Sequence, residues 1–275
     1  MSGVMIIAQI SDTHVALDAP DADRRLQDFE RTIADINALD PAPDLVVHTG
    51  DIVHNGRPDE YAQALSVLAK VRAPVYVLVG NKDDRGNLRT AFASSGYLAP
   101  DSPFIDYAIE SYPVRLIAVD TKCLESNRGD FCAERAKRLV QQIEADTSRP
   151  IAVFAHHPPF EVLEGPDRFH FETPEAMSRL CQASQHSDRI VAVFSGHVHR
   201  GVYGHVGDIP ATVVPCIATS LRRGQYPAYM ETRPVYHVHR FDPIWGFSTE
   251  ARIVEAVSSP RPALSSTPSR QEADA

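Results

Sequence analysis

Val193-Phe194-Ser195-Gly196-His197-Val198-His199 is the stretch on which the reading of this chain turns. The β-branched and apolar residues over 190–194 predict a buried strand, the glycine permits a sharp turn, and both imidazoles then emerge at the strand's carboxyl end. A His-x-His pair alone is more often two residues on one strand face. The question is therefore whether other strands end the same way.

Four do. Residues 4–10, 44–48, 75–79 and 151–155 each read as a core strand. They are followed by Ser11-Asp12-Thr13-His14, Thr49-Gly50-Asp51, Gly80-Asn81-Lys82-Asp83 and His156-His157-Pro158-Pro159. Between them, Leu26, Phe29, Ile33, Ile36 and Leu39 recur at helical spacing and predict a helix over 21–39. Further helices are predicted over 58–71, 84–94, about 130–145 and 174–185, and an antiparallel pair over 104–109 and 114–119. Strand-like runs at 201–206, 211–214, 234–240 and 245–254 crowd the last third. The alternation predicts an α/β layered domain, with a second sheet from the strand-rich last third stacked on the first.

With 275 residues and 43% hydrophobic content, one large domain over 1–257 is expected, with about 201–245 as a cap or subunit-contact segment. The Ser-, Pro- and Ala-rich stretch 258–275 has too little apolar content to order itself. A net charge of -9 excludes a general nucleic-acid-binding surface and an anionic-membrane surface, while leaving room for a local cationic site. Cys123, Cys132, Cys181 and Cys216 show no metal or redox spacing and read as reduced thiols of a cytoplasmic protein. The first apolar run is too short for a membrane span or a signal peptide.

In layered α/β proteins the carboxyl ends of parallel strands share one edge, so Asp12, His14, Asp51, Asn81, His156, His197 and His199 can converge. Singly, each has a bland reading as a turn cap, a left-handed turn residue or a core histidine. Together they point to a metal centre. The blocks Asp12-Thr13-His14, Gly50-Asp51, Gly80-Asn81, His156 and Gly196-His197-Val198-His199 resemble the calcineurin-like metallophosphoesterase superfamily, over about residues 4–200. His156-His157-Pro158-Pro159 and the compact length look most like its bacterial cyclic nucleotide phosphodiesterase and glycerophosphodiesterase branch.

The resemblance implies a four-layer αββα sandwich of two stacked mixed sheets. It also implies that Asp12, His14 and His199 hold one metal, that Asn81, His156 and His197 hold another, and that Asp51 bridges them. Carboxylate, amide and imidazole donors suit Mn²⁺, Fe²⁺ or Zn²⁺ better than Mg²⁺ or Ca²⁺. Two such cations roughly 3.5–4 Å apart lower the pKa of a bridging water towards about 7 and stabilise the attacking and leaving oxygens at phosphorus. The expected reaction is attack by metal-activated hydroxide on a small phosphodiester, a 3′,5′-cyclic nucleotide or a glycerophosphodiester. The alternatives are a phosphomonoesterase or phosphonate-ester hydrolase and, from another class, a non-catalytic metal-containing binding scaffold. The scaffold is disfavoured because every expected ligand is present.

One motif departs from the family pattern. Most relatives carry Gly-Asn-His followed by Asp or Glu, whereas this chain has Gly80-Asn81-Lys82-Asp83. Lys82 is expected to bind the substrate phosphate beside Asn81, stabilising charge or donating a proton from a group whose reference pKa is about 10.4. If Lys82 is instead a solvated partner of Asp83 or Asp84, then His157, His54 or His170 supplies the donor. His157 reads equally as a catalytic or ligand-supporting residue and as a strand residue facing the opposite layer. His48, His205, His237 and His239 read as structural, and Arg222-Arg223 as solvated loop charge. Tyr203, Tyr226, Tyr229 and Tyr236 read as a substrate wall or a contact within a homodimer or larger homo-oligomer, and the resemblance favours the contact.

Overall fold

The apolar stripe of the first helix settles its orientation: Phe29, Ile33 and Ile36 are buried, together with Thr32, while Glu30 and Ala34 are exposed. The computed structural model describes residues 4–163 and 170–255, so the expected tail at 258–275 lies outside the described residues. The first half contains β1 (Met5–Ile10), α1 (Ala22–Asn37), β2 (Leu45–His48), α2 (Pro58–Leu68), β3 (Val75–Val77), α3 (Arg85–Ala91), β4 (Tyr107–Ile109) and β5 (Arg115–Val119). The second contains α4 (Ala133–Glu144), β6 (Ile151–Ala155), α5 (Pro174–Ala183), β7 (Ile190–Ser195), β8 (Val202–Val206), β9 (Ile209–Val213), β10 (Val235–Asp242) and β11 (Gly246–Ile253).

Two mixed sheets result, ordered β11-β10-β1-β2-β3 and β4-β5-β6-β7-β9-β8. The strand period of two divides the second sheet between two cores. Leu116, Ala118, Ala152, Phe154, Ala192 and Phe194 share a core with the first sheet, α1 and α2. Their neighbours Ile117, Val119, Val153, Ala155 and Val193 pack instead with Leu139 and Ile143 of α4 and Ala176 and Leu180 of α5. The four layers are therefore helices, sheet, sheet and helices, as expected of the αββα sandwich.

The division of strands between the sheets differs from the sequence expectation. The last third does not build a sheet of its own. β8 and β9 extend the sheet of β4 to β7, whereas β10 returns to pair antiparallel with β1, setting Gln9 opposite His237. Hydrophobic periodicity reports which face of a strand is buried but not which neighbour completes its ladder. β4 and β5 pair antiparallel, as predicted. No helix among the described residues is long and apolar enough to cross a membrane.

His48, His237 and His239 are buried between these layers. Burial lowers His48 and His237 to about 4 and His239 well below its ordinary value. Below about pH 6.5 the unfolded chain protonates these imidazoles while the fold keeps them neutral, so their contribution to stability rises with pH from about 4 to 6.5. Asp83, which burial and then Asp51 raise to about 7, opposes the three histidines with one proton. The metal-free protein is expected to lose stability and fall in Tm between pH 7 and pH 5, because the histidines that burial keeps neutral, His14 and His197 among them, outnumber Asp83 and His156, which act in the opposite direction. Thermal melts at both pH values check this; a Tm unchanged or higher at pH 5 contradicts it.

Candidate metal centre

Five strands end along one edge of the sandwich, and the residues just past them leave regular geometry together. Asp12 (φ 57°), His14 (45°), Asp51 (52°), His197 (72°) and His199 (60°) are the non-glycine residues with positive φ among the described residues. Such conformations cost about 1–3 kcal/mol each and persist where the surroundings over-determine them. Here neighbouring loops supply that constraint: Asp12 N donates to Gly50 O, and His14 N to Asp51 O, each at 3.0 Å. Their side chains enter two adjacent donor groups, Asp12, His14, Asp51 and His199 in one and His197 in the other.

Two donor groups form there. His14 Nε2 lies 3.1 Å from His199 Nε2, 3.7 Å from Asp12 Oδ1 and 3.5 Å from Asp51 Oδ2. Beside them, Asn81 Oδ1 lies 3.0 Å from His156 Nε2 and 2.9 Å from His197 Nδ1, and Asp51 Oδ1 lies 3.6 Å from His156 Nε2. Asp51 thus presents one carboxylate oxygen to each group. All seven residues expected as ligands are brought together.

Close approach of the loops depends on Gly80 and Gly196. A Cβ on Gly80 would sit 2.2 Å from both Asp51 N and Asp51 Oδ1, and one on Gly196 would sit 2.1 Å from Ser11 Oγ. Asp83 ties the Asp51 and Asn81 loops from below. Its carboxylate accepts from Ile52 N, Val53 N, Gly80 N and the Tyr61 hydroxyl at 2.8–3.3 Å.

The donor set fits divalent cations. Asp12 Oδ1 is buried and accepts no hydrogen bond, an arrangement that native structures rarely leave unexplained. His156 Nδ1 stands 2.8 Å from Thr49 O, and His199 Nδ1 stands 3.0 Å from Leu221 O. A carbonyl only accepts, so each Nδ1 carries a proton and each Nε2 can present a lone pair to a metal. Burial opposes ionisation of Asp12, yet His199 beside it brings its pKa down to about 2; Asp51 is held well below the carboxylate range, chiefly by His156. Burial disfavours the charged form of His156, but Asp51 and Asp12 raise it to about 9. Burial takes His14 down to about 3 and, with His157 and His156 nearby, holds His197 well below its ordinary value.

Above the donors opens a cavity of about 670 Å³, walled by Lys82, Ser126, Asn127, Arg128, His170, Arg200 and Arg223 among others. The cationic wall stands in a chain of net charge -9. Lys82 is among its lining residues, and its backbone N donates to Asp51 Oδ1 at 2.7 Å. His170 also lines the cavity, with its ring centroid 5.2 Å from that of His197; the His54 ring lies 5.6 Å from His14. His157 is placed differently. Its ring is buried, 4.3 Å from the His197 ring, with Nδ1 2.8 Å from Thr121 Oγ1. It is not part of the cavity wall, although one of its ring nitrogens lies within 4.8 Å of ligand nitrogens of His156 and His197.

Several wall residues escaped the sequence reading. Arg222-Arg223 divides: Arg223 faces the cavity, while the Arg222 guanidinium stacks 4.4 Å from the Tyr226 ring centroid. Arg128 and Arg200 carry no motif, although Arg200 directly follows His199 and that adjacency was the available signal. Lys122 Nζ donates to the Asn81 carbonyl at 2.7 Å, a contact between residues 41 positions apart that no local pattern announces. Of the four tyrosines, Tyr236 is buried and Tyr203 and Tyr229 are exposed.

Fold and site together define a class, an αββα sandwich carrying histidine and carboxylate donors on one edge. The family model for calcineurin-like phosphoesterases matches residues 5–201, and the chain belongs to that family of phosphate-ester hydrolases. It is 27% identical over 269 residues to the Arcobacter nitrofigilis protein named "Probable glycerophosphodiester phosphodiesterase GpdQ", covering 94% of this chain and 96% of that one. It is 30% identical over 182 residues to a Rhodopseudomonas palustris protein named "Probable cyclic nucleotide phosphodiesterase", covering 65% of each. The fold also matches a dimetal phosphatase from Danio rerio with a TM-score of 0.66 and 14% identity, covering 92% of this chain and 100% of that one.

Proposed function

We propose that this protein is a phosphodiesterase holding two divalent cations and cleaving a small diester, a glycerophosphodiester or a 3′,5′-cyclic nucleotide. The observation that carries the proposal is Asp51, whose two oxygens face separate donor groups on the floor of a cation-walled cavity. Asp12, His14 and His199 would hold one cation, Asn81, His156 and His197 the other, and Asp51 both. Bound there, Mn²⁺, Fe²⁺ or Zn²⁺ would activate water and offset the charge that develops at phosphorus.

The chain's own residues do the rest. Lys82, Arg128, Arg200 and Arg223 draw the anionic ester into the cavity and orient it. His157, tied to Thr121, steadies the His197 ring from behind. Cys216 Sγ points to the Asp12 carbonyl, 3.0 Å away and behind the donors, where it is no nucleophile. The same reading takes residues 1–257 as one domain and, from four free cysteines, a reducing compartment such as the cytoplasm. The glycerophosphodiester assignment draws support from a relative whose match runs through the last third, the part that supplies Arg223 and Gly224 to the cavity.

The test is a substrate panel on Mn²⁺-reconstituted protein: glycerophosphoethanolamine, cyclic AMP, bis(p-nitrophenyl) phosphate and p-nitrophenyl phosphate. Turnover should favour diesters and vanish on chelation. A preference for the monoester sinks the diesterase reading, and absence of turnover with every divalent metal favours the scaffold. Within the panel, Lys82→Met is expected to lower kcat/KM about 10²-fold on good and poor leaving groups alike if Lys82 binds phosphate, and more steeply on poor ones if it also protonates the leaving oxygen. Unchanged efficiency on both would remove Lys82 from the site.

A further inference from the structure

Polar side chains between the sheets form a continuous chain that ends on Thr49 and Ser195, which adjoin loops carrying candidate metal ligands. Thr249 Oγ1 on β11 lies 2.8 Å from His239 Nδ1, and His239 Nε2 lies 2.9 Å from Gln9 Oε1. Gln9 Nε2 then reaches Thr49 Oγ1 at 3.2 Å and Ser195 O at 3.1 Å. Gln9 and His239 are both fully buried, and the His239 ring stacks on Phe194 with centroids 3.9 Å apart.

The donors and acceptors of this chain balance. Burial keeps His239 neutral, so one ring nitrogen accepts and the other donates. The Thr249 hydroxyl donates to Nδ1 and Nε2–H donates to the Gln9 oxygen. That orientation leaves both amide protons of Gln9 for Thr49 Oγ1 and Ser195 O, and Thr49 Oγ1 donates onward to Ile10 O at 3.3 Å. With the amide flipped, a donor would face His239 Nε2–H and an acceptor would face Ser195 O.

The two acceptors lie on opposite sheets. Thr49 follows β2 in the first sheet, and its carbonyl orients His156 Nδ1. Ser195 closes β7 in the second sheet, immediately before Gly196-His197. One amide therefore joins the sheets at the level where both deliver ligands. The donor groups depend on that join unequally. Asp12, His14 and Asp51 come from the first sheet and only His199 from the second, whereas the other group divides evenly, Asp51 and Asn81 against His156 and His197.

We infer that Gln9, held in one amide orientation by His239 and Thr249, is a positioning residue that sets the separation of the sheets at Asn81, His156 and His197, and so that group's affinity for its cation. The inference rests on the two-cation reading above. Gln9→Met keeps the side-chain length while removing the cross-sheet bonds. Ser195 O retains Val214 N as a donor at 2.9 Å, so the fold is not left with an orphaned carbonyl.

Calorimetric titration of metal-free protein with Mn²⁺ tests this, with Asn81→Ala identifying which binding step belongs to the evenly divided group. Gln9→Met is expected to weaken that step at least tenfold and the other less than threefold. Thr249→Val, isosteric and half-buried at the outer end of the chain, is expected to act in the same direction by about threefold. If Gln9→Met fails to fold, Thr249→Val decides alone. Ile33→Val, in the α1 core, should lower Tm without shifting the ratio of the two affinities. The inference is overturned if the two steps weaken equally, if their ratio stays at the wild-type value in the folded variants, or if the wild-type protein takes up one cation only. A wild-type protein that binds two cations yet cleaves none of the diesters above removes the substrate reading and leaves this inference standing.

Discussion

Asp51→Ala is expected to lower kcat/KM for the best diester by at least about 10⁴-fold, roughly 5.5 kcal/mol of transition-state stabilisation, and to abolish tight binding of both cations. Among the described residues Asp51 presents one oxygen to each group, with Oδ2 3.5 Å from His14 Nε2 and Oδ1 3.6 Å from His156 Nε2. On the proposed two-cation reading, its loss would remove a ligand from each group and the negative charge that offsets two adjacent dications. A second consequence follows in the loops, because Asp51 Oδ1 accepts from Lys82 N at 2.7 Å and so fixes the backbone that carries Asn81. Asp51→Asn keeps the shape and one acceptor oxygen, and should fall between wild type and alanine in both metal affinity and turnover. Steady-state kinetics with parallel Mn²⁺ titrations separates these expectations. An alanine variant that still binds two cations with near wild-type affinity would show that the groups do not share Asp51.

Gly80→Ala is expected to be nearly as damaging although it removes nothing. The added methyl would lie 2.2 Å from Asp51 N and Asp51 Oδ1 and 2.8 Å from Asp51 Cγ, so either the Asn81 loop or the Asp51 loop must move. Neither can move freely. Gly80 N is bonded to Asp83 Oδ2 at 2.8 Å, and Asp83 also holds Ile52 N and Val53 N. Overpacking of a rigid interior costs about 1–3 kcal/mol and occasionally more, and with backbone on one side the upper end, about 3 kcal/mol, applies here. Thermal melts should show the loss of stability, and metal titration should show loss of the step that needs Asn81. Wild-type values in both measurements would mean that the loops adjust and that their spacing is not tightly set.

Much of this was legible in the residues. Helical spacing of Phe29, Ile33 and Ile36, the short apolar runs of β5 and β6, and the recurrence of Asp, Asn or His just past a strand are local patterns, and local patterns are what a sequence displays. β6, expected over 151–155, forms Ile151–Ala155. β3 is shorter than expected, ending at Val77, although Leu78 N still donates to His48 O at 2.8 Å before the chain reaches Asn81. The seven donor residues could be gathered by motif because each strand-to-loop step is short and stereotyped.

What the sequence determined by itself, then, was which side chains sit past the ends of core strands and which faces of strands and helices are apolar, since both depend on residues within a few positions of one another. Tertiary structure decided the rest. It returned β10 to β1, set the amide of Gln9 between Thr49 and Ser195, placed Lys122 on the Asn81 carbonyl, and turned Arg223 but not Arg222 into the cavity. Each of those contacts joins residues separated by tens to hundreds of positions or depends on which way a loop side chain turns. Its free energy comes from packing and hydrogen bonding once the two sheets have closed on each other, and no periodicity in the chain encodes that closure.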